Sequence, residues 1–320
     1  MKAIIVAGLF GIISFFALGG CNSGTSEPSL SVANLSASPI AAPAPSTSPS
    51  ASTPPSVITA HSQIDQVSFH SAALGSEMNL SVYLPPGYSE DVRYPVLYML
   101  YGYGGNHDSW FTYLNINTVA DQLIQEDRIH PVIIVSPDYG NSFGVNTKVG
   151  EGHDPGGVSI GPYEDYLIQD VISYVDGHYS TQASKEARYV GGASMGGYAA
   201  LYLGFKHPEL FSKIGAHSAA IWTYTPTDEF TDQRDWLYAA GMRRDERDPF
   251  KLASADKLKG MKVYLDAGED DALAEKDKSL YDLLLTMNVD AKWVLSPGGH
   301  TVSYWSGQLS NYMLFYAGKE

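Results

Sequence analysis

Residues 191–197 read Gly-Gly-Ala-Ser-Met-Gly-Gly. The run contains Gly192-x-Ser194-x-Gly196, the pattern of a sharp strand-to-helix turn that exposes a serine hydroxyl. A hydroxyl is a poor nucleophile until it is presented beside a base. Such a turn leaves no room for flanking side chains, so glycine is needed there. With 31 glycines in 320 residues the pattern alone says little, and its surroundings carry the argument. Arg188–Gly191 is a short β-prone run. Met195–His207 is apolar at helical spacing. Strand, turn and helix in that order are the context a nucleophile requires.

A serine nucleophile needs a base, and the base needs an acid to orient it. In chains built around such a turn the order is serine, then acid, then histidine. Only His207, His217 and His300 follow Ser194. His207 ends the helix that begins at the turn and points away from it. His217 comes too early to leave room for an acid. His300 remains, in a Gly298-Gly299-His300 loop whose glycines allow close approach to the serine. The acid is expected in the loop after a strand at Lys262–Asp266, where Asp266, Glu269, Asp270 and Asp271 compete. Spacing does not separate Asp270 from Asp271. The oxyanion needs two backbone N–H groups. One belongs to Met195. The other is assigned to Tyr103, in the Gly102-Tyr103-Gly104-Gly105 loop after an early apolar strand. Only the backbone is needed there, which leaves the Tyr103 side chain free to vary.

Short apolar runs at 79–84, 95–101, 132–136, 189–191, 214–217, 262–266 and 292–295 read as strands, the first as an edge strand. Helical patterns at 117–126, 163–179, 195–207, 279–287 and 302–316 lie between them. This alternation predicts an α/β domain with a mostly parallel sheet and helices on both faces. Residues 139–161, with seven glycines, and 221–250, rich in Trp, Tyr and charge, break the alternation. Both are read as loops at the substrate site, the second as a partial lid. Trp110, Phe143, Trp222, Tyr224 and Trp236 are candidates for an aromatic pocket wall.

The chain opens Met1-Lys2, continues without charge through Gly20, and reaches its one cysteine at Cys21. Residues 1–20 read as a secretory signal. Leu18-Gly19-Gly20-Cys21 resembles a bacterial lipobox, with Cys21 the lipidated residue. An uncleaved single-span anchor and a plainly secreted protein are the competing readings. Residues 21–57, rich in Ser, Pro, Ala and Thr, read as a disordered tether, and 58–320 as the catalytic domain. The expected location is outside the cell, anchored to a bacterial envelope or secreted. The domain itself can hold no disulfide. A net charge of −15 argues against nucleic acid as partner and against anionic lipid, leaving the lipidated N-terminus as the membrane contact. No metal-ligand spacing and no dinucleotide or P-loop fingerprint is visible, so no cofactor and no metal are expected.

Several motifs in order resemble the esterase D-like branch of the α/β-hydrolases. That branch includes S-formylglutathione hydrolases, feruloyl and acetyl-xylan esterases, enterochelin-type esterases and mycolyltransferases. The similarity runs from about Ser81 to Tyr316. It rests on Tyr94–Gly102, Tyr163–Leu167, Gly192–Gly197, His207–Phe211, Gly268-Glu269-Asp270-Asp271 and Gly299-His300 followed by Tyr304-Trp305. Tyr101 stands where those proteins often have His. The resemblance implies an α/β-hydrolase fold and points to Asp271 as the triad acid. It implies a serine carboxylic-ester hydrolase working through an acyl-enzyme, on acylated carbohydrate or small acyl esters. Acyl transfer of the mycolyltransferase type and an inactive surface-binding lipoprotein are the alternatives.

Overall fold

The computed structural model describes residues 61–150, 156–222, 231–238 and 242–319. Residues 1–57, on which the readings of a signal, a lipidated Cys21 and a tether fall, and Tyr224 lie outside the described residues.

The sheet has eight strands: β1 Gln63–Ser71, β2 Ser76–Leu84, β3 Val96–Leu100, β4 Ile133–Pro137, β5 Arg188–Ala193, β6 Lys213–His217, β7 Lys262–Gly268 and β8 Asp290–Ser296. Their order is β1-β2-β4-β3-β5-β6-β7-β8. From β4 through β8 every neighbouring pair is parallel, whereas β1–β2 and β2–β4 are antiparallel. The central strands β3, β4 and β5 are buried at every position, as expected of apolar runs covered on both faces. This is the mostly parallel sheet that the alternation of apolar runs and helical patterns predicts.

Two expectations are corrected here. The strand at 79–84 is not at the edge. It extends back to Ser76 and is covered by β1, which was not foreseen. Most β1 side chains are exposed or half-exposed, so no apolar run announces it.

The helices are α1 Ser109–Thr112, α2 Ile116–Gln125, α3 Tyr163–Asp165, α4 Ile172–His178, α5 Met195–Lys206, α6 Thr231–Leu237, α7 Met242–Arg247, α8 Pro249–Leu252, α9 Ala274–Thr286 and α10 Val302–Ala317. A π-helical segment, Tyr166–Val171, joins α3 to α4. Three short helices, α6 to α8, occupy much of 231–252, where an irregular loop was expected. Helix α5 is buried from Met195 to Phe205, so its whole circumference is apolar and it sits inside the domain. The segments that leave the C-terminal ends of β3, β5, β7 and β8 converge, where open parallel sheets place their crevice.

Candidate active site

Ser194 lies between β5 and α5 with φ 56° and ψ −117°. A non-glycine residue in this region carries strain of about 1–3 kcal/mol, which the surroundings must hold in place. They do so through the backbone. Ser194 N–H donates to the His217 carbonyl at 2.9 Å, and the Ser194 carbonyl accepts from Tyr198 (3.0 Å) and Ala220 (2.9 Å). The flanking glycines are required by close approach: a Cβ at Gly192 would strike the Gly196 and Leu100 backbones, and one at Gly196 the Leu100 carbonyl.

The loop after β8 brings His300 to this turn. His300 Nε2 stands 2.8 Å from Ser194 Oγ, and His300 Nδ1 donates to Asp271 Oδ2 at 3.0 Å. With Nδ1 engaged by the carboxylate, the Nε2 lone pair faces the serine hydroxyl. The Asp271 side chain is 1 % exposed and the His300 ring 36 %, so the acid is sealed while the imidazole can be reached from the cavity. Burial pushes the Asp271 carboxyl upward. Hydrogen bonds from His300 and the Leu273 N–H outweigh it, aided by the His300 charge and Ser218, and hold Asp271 below the usual aspartate range. Trp305 packs edge-on against His300 with ring centres 5.0 Å apart, and its indole N–H donates to Ser218 Oγ at 3.2 Å.

The loop after β3 lies against Ser194: a Cβ on Gly102 would stand 3.4 Å from Ser194 Cβ. Tyr103 follows it and lines the same cavity as Ser194 and Met195. Met195 opens α5, whose first N–H groups have no acceptor within the helix and sit at the positive end of its dipole. Tyr139 OH donates to the Tyr101 carbonyl, while Tyr101 OH donates to Asp138 at 2.5 Å and accepts from the Tyr139 N–H at 2.8 Å. Asn141 Oδ1 accepts the Gly104 N–H at 2.8 Å. Its amide donates to the Gly157 carbonyl at 2.8 Å, which also receives Tyr103 OH at 2.9 Å. The Tyr103 side chain is therefore not idle, contrary to the sequence reading: it ties this loop to the glycine-rich segment.

The cavity above Ser194 has a volume of about 730 Å³. Trp110, Phe143 and Trp222 line it, together with Gln233 from α6. Trp236 does not reach the cavity but packs behind Phe143, their ring centres 6.1 Å apart. Tyr103 and Tyr113 are exposed aromatics on its lining.

Residues 71–316 match the Putative esterase family. The chain belongs to that family. A curated relative, the endo-1,4-beta-xylanase/feruloyl esterase of Xylanibacter ruminicola, is 33 % identical over 213 residues. That match covers 63 % of this chain and only 28 % of the longer relative. The acetyl esterase of Caldicellulosiruptor saccharolyticus is 25 % identical over 271 residues, covering 78 % of this chain and 96 % of the relative. Among solved structures, a ferulic acid esterase superposes with a TM-score of 0.67 at 23 % identity, covering 80 % of this chain and 98 % of that one. The S-formylglutathione hydrolase of Staphylococcus aureus gives 0.63 at 20 % identity, covering 80 % and 99 %. Both structural likenesses establish the α/β-hydrolase fold, and family membership places the chain among the esterases.

In this esterase the residues singled out from sequence fall into two groups. Ser194, Asp271, His300, Tyr103 and Met195 come together at one cavity. His207, His217, Asp266 and Asp270 do not. His207 Nε2 pairs with Glu164 Oε1 at 2.7 Å, and His217 Nδ1 with Asp266 Oδ1 at 2.7 Å. The Asp270 N–H donates to the Gly298 carbonyl at 2.8 Å. No individual role was given to Tyr139, Asn141 or Ser218 from sequence, and Trp305 entered only through the histidine-loop resemblance. Their signal is a tertiary contact with a distant segment, which no local pattern encodes.

Proposed function

We propose that this esterase hydrolyses carboxylic esters through an acyl-enzyme on Ser194. The observation that carries the reading is the unbroken hydrogen-bonded chain from Ser194 Oγ through His300 to the sealed Asp271 carboxylate. Ser194 Oγ attacks the ester carbonyl while His300 Nε2 takes its proton. Asp271 holds the imidazole tautomer and stabilises the imidazolium. The N–H groups of Tyr103 and Met195 receive the oxyanion, each such donor being worth about 10²–10³ in rate. His300 returns the proton to the leaving alcohol, and water then repeats the sequence on the acyl-enzyme.

We further propose that the acyl group is aromatic and the alcohol a carbohydrate. A space of about 730 Å³ with Trp110, Phe143 and Trp222 on its lining has room for a planar aromatic acyl group. Exposed Tyr103 and Tyr113 offer flat faces for a sugar. The name of one relative, endo-1,4-beta-xylanase/feruloyl esterase, agrees with an aromatic acyl group on a carbohydrate. Methyl ferulate and p-nitrophenyl esters of rising chain length test this. The reading expects kcat/KM for the feruloyl ester to exceed that for the acetyl ester. A strict preference for acetyl would overturn the aromatic assignment, and transfer of the acyl group to an added sugar in place of water would overturn hydrolysis.

Export and anchoring through Cys21 are proposed on the uncharged run 3–20 and the Leu18–Cys21 motif alone. Incorporation of labelled palmitate that Cys21→Ser abolishes would support it. A wild-type chain that takes up none would contradict it.

A further inference from the structure

Beneath the Ser194–His300–Asp271 chain lies a second histidine–aspartate pair that the proposed chemistry does not touch. The side chains of His217, at the end of β6, and Asp266, in β7, are both 0 % exposed. Their pairing follows the sheet register, which sets His217 opposite Asp266. His217 Nδ1 donates to one Asp266 oxygen at 2.7 Å. The other accepts Tyr304 OH at 2.9 Å and Tyr312 OH at 2.8 Å, both from α10. Tyr316 OH reaches within 3.2 Å of His217 Nε2 through a slot that exists because Gly191 and Gly215, paired neighbours in β5 and β6, carry no side chains.

A buried carboxyl is not needed to hold a sheet together, because apolar residues of the same volume stabilise as well or better. Its connections show what it fixes. The His217 carbonyl accepts the Ser194 N–H, and the Asp266 carbonyl accepts the Ser218 N–H at 2.7 Å. Tyr304 sits four residues after His300, on the first turn of α10. Its ring lies against Gly298, where a Cβ would come within 2.9 Å of it. Gly298 in turn receives the Asp270 N–H, one residue before the acid. The Asp266 carboxyl is thus linked to the Ser194 segment through His217, and through Tyr304 to the His300 loop, which in turn holds the Asp271 turn.

We propose that Asp266 is a positioning residue for the reaction. It acts through His217 on the nucleophile's backbone and through Tyr304 on the His300 loop, and so sets the distance between Ser194 Oγ and His300 Nε2. The proposal rests on the esterase reading of the site. A displacement of about 1 Å in such a pair can cost on the order of 10²-fold in rate.

The test compares Tyr304→Phe and Asp266→Asn with a matched control. Tyr83→Phe also removes a buried tyrosine hydroxyl bound to a carboxylate, Asp121 at 2.6 Å, on a different part of the sheet. Thermal midpoint, kcat, KM and the rate of fluorophosphonate labelling are measured for each. Tyr304→Phe and Asp266→Asn should lower kcat and the labelling rate together by at least about tenfold, with KM changed less than about threefold. Tyr83→Phe should lose thermal stability with kcat unchanged. If Tyr304→Phe behaves like Tyr83→Phe, the role is structural and the proposal is overturned, even where Asp266→Asn fails to fold. A wild-type chain that the probe does not label overturns the proposal together with the esterase reading. A labelled wild type with an unaffected Tyr304→Phe overturns the proposal alone.

Discussion

Asp277 accepts the Ala219 N–H at 2.8 Å while its other carboxyl oxygen is buried and, among the described residues, meets no donor. The contact matters because Ala220, the next residue, donates to the Ser194 carbonyl. Helix α9 thereby braces the turn that presents Ser194. Burial raises the Asp277 carboxyl well above the usual aspartate range; the Ala219 hydrogen bond opposes this, and the Asp271 and Asp266 charges add to it. Between the ordinary aspartate pKa and that raised value, the unfolded chain releases a proton that the folded chain keeps. Stability therefore falls with rising pH in that window. Asp277→Asn retains the acceptor and removes the titration. Its melting temperature is expected to exceed that of wild type by a margin that grows from about pH 4 toward neutrality. Thermal melts across that range check it, and a margin that stays constant or shrinks would contradict it.

Glu164 shows the opposite sign. Burial opposes its ionisation, but His207, Lys206 and Tyr202 all bind its carboxylate, and its pKa is drawn down to about 2. The stabilisation is fully present above the ordinary glutamate pKa and is lost as pH falls through about 2. Glu164→Gln is predicted to lower stability at pH 7 by roughly 1–3 kcal/mol. The deficit should narrow as both proteins are taken to strongly acidic pH. Denaturant titrations at pH 7 and pH 3 measure it.

Asp271→Asn leaves the shape of the site but lets the wrong imidazole nitrogen carry the proton. A loss of about 10⁴ in kcat is expected, by analogy with the equivalent change in other serine triads. Asp270→Asn, one residue away, should stay within about threefold of wild type, because the Asp270 backbone and not its carboxylate makes the contact seen here. Steady-state kinetics on one chromogenic ester distinguish the two.

Asn141→Ala removes the amide that joins Gly104 to Gly157. The loop that carries the Tyr103 N–H then keeps only the Tyr103 hydroxyl contact to Gly157 of these ties. A fall in kcat of about tenfold or more with little change in KM is predicted, part of what losing an oxyanion donor outright would cost. A rise in KM alone would assign Asn141 to substrate binding instead.

Most of the sheet could be read from the sequence because its inner strands are short apolar runs, Val96–Leu100 and Ile133–Pro137 among them. β1 could not, since one of its faces meets water for most of its length. The short helices α6 to α8 were hidden by mixed aromatic and charged residues with no sustained period. At the site, chain order singled out Ser194 and His300. Spacing could not choose Asp271 over Asp270, because adjacent residues in a turn differ only in direction. In the folded turn the Asp271 N–H bonds back to the Gly268 carbonyl, and it is the Asp271 carboxylate that reaches His300. His217 was set aside as too early in the chain. Its partner Asp266 is 49 residues away, brought opposite by strand register that no local pattern encodes.

The account depends most on Ser194 being a nucleophile activated by His300. Intact-protein mass spectrometry after fluorophosphonate treatment, with peptide mapping, tests this directly. One adduct on Ser194 is predicted, absent from Ser194→Ala and strongly slowed in His300→Ala, with ester turnover by Ser194→Ala lower by about 10⁶. An unmodified Ser194, or a Ser194→Ala protein that keeps most of its turnover, would contradict the account.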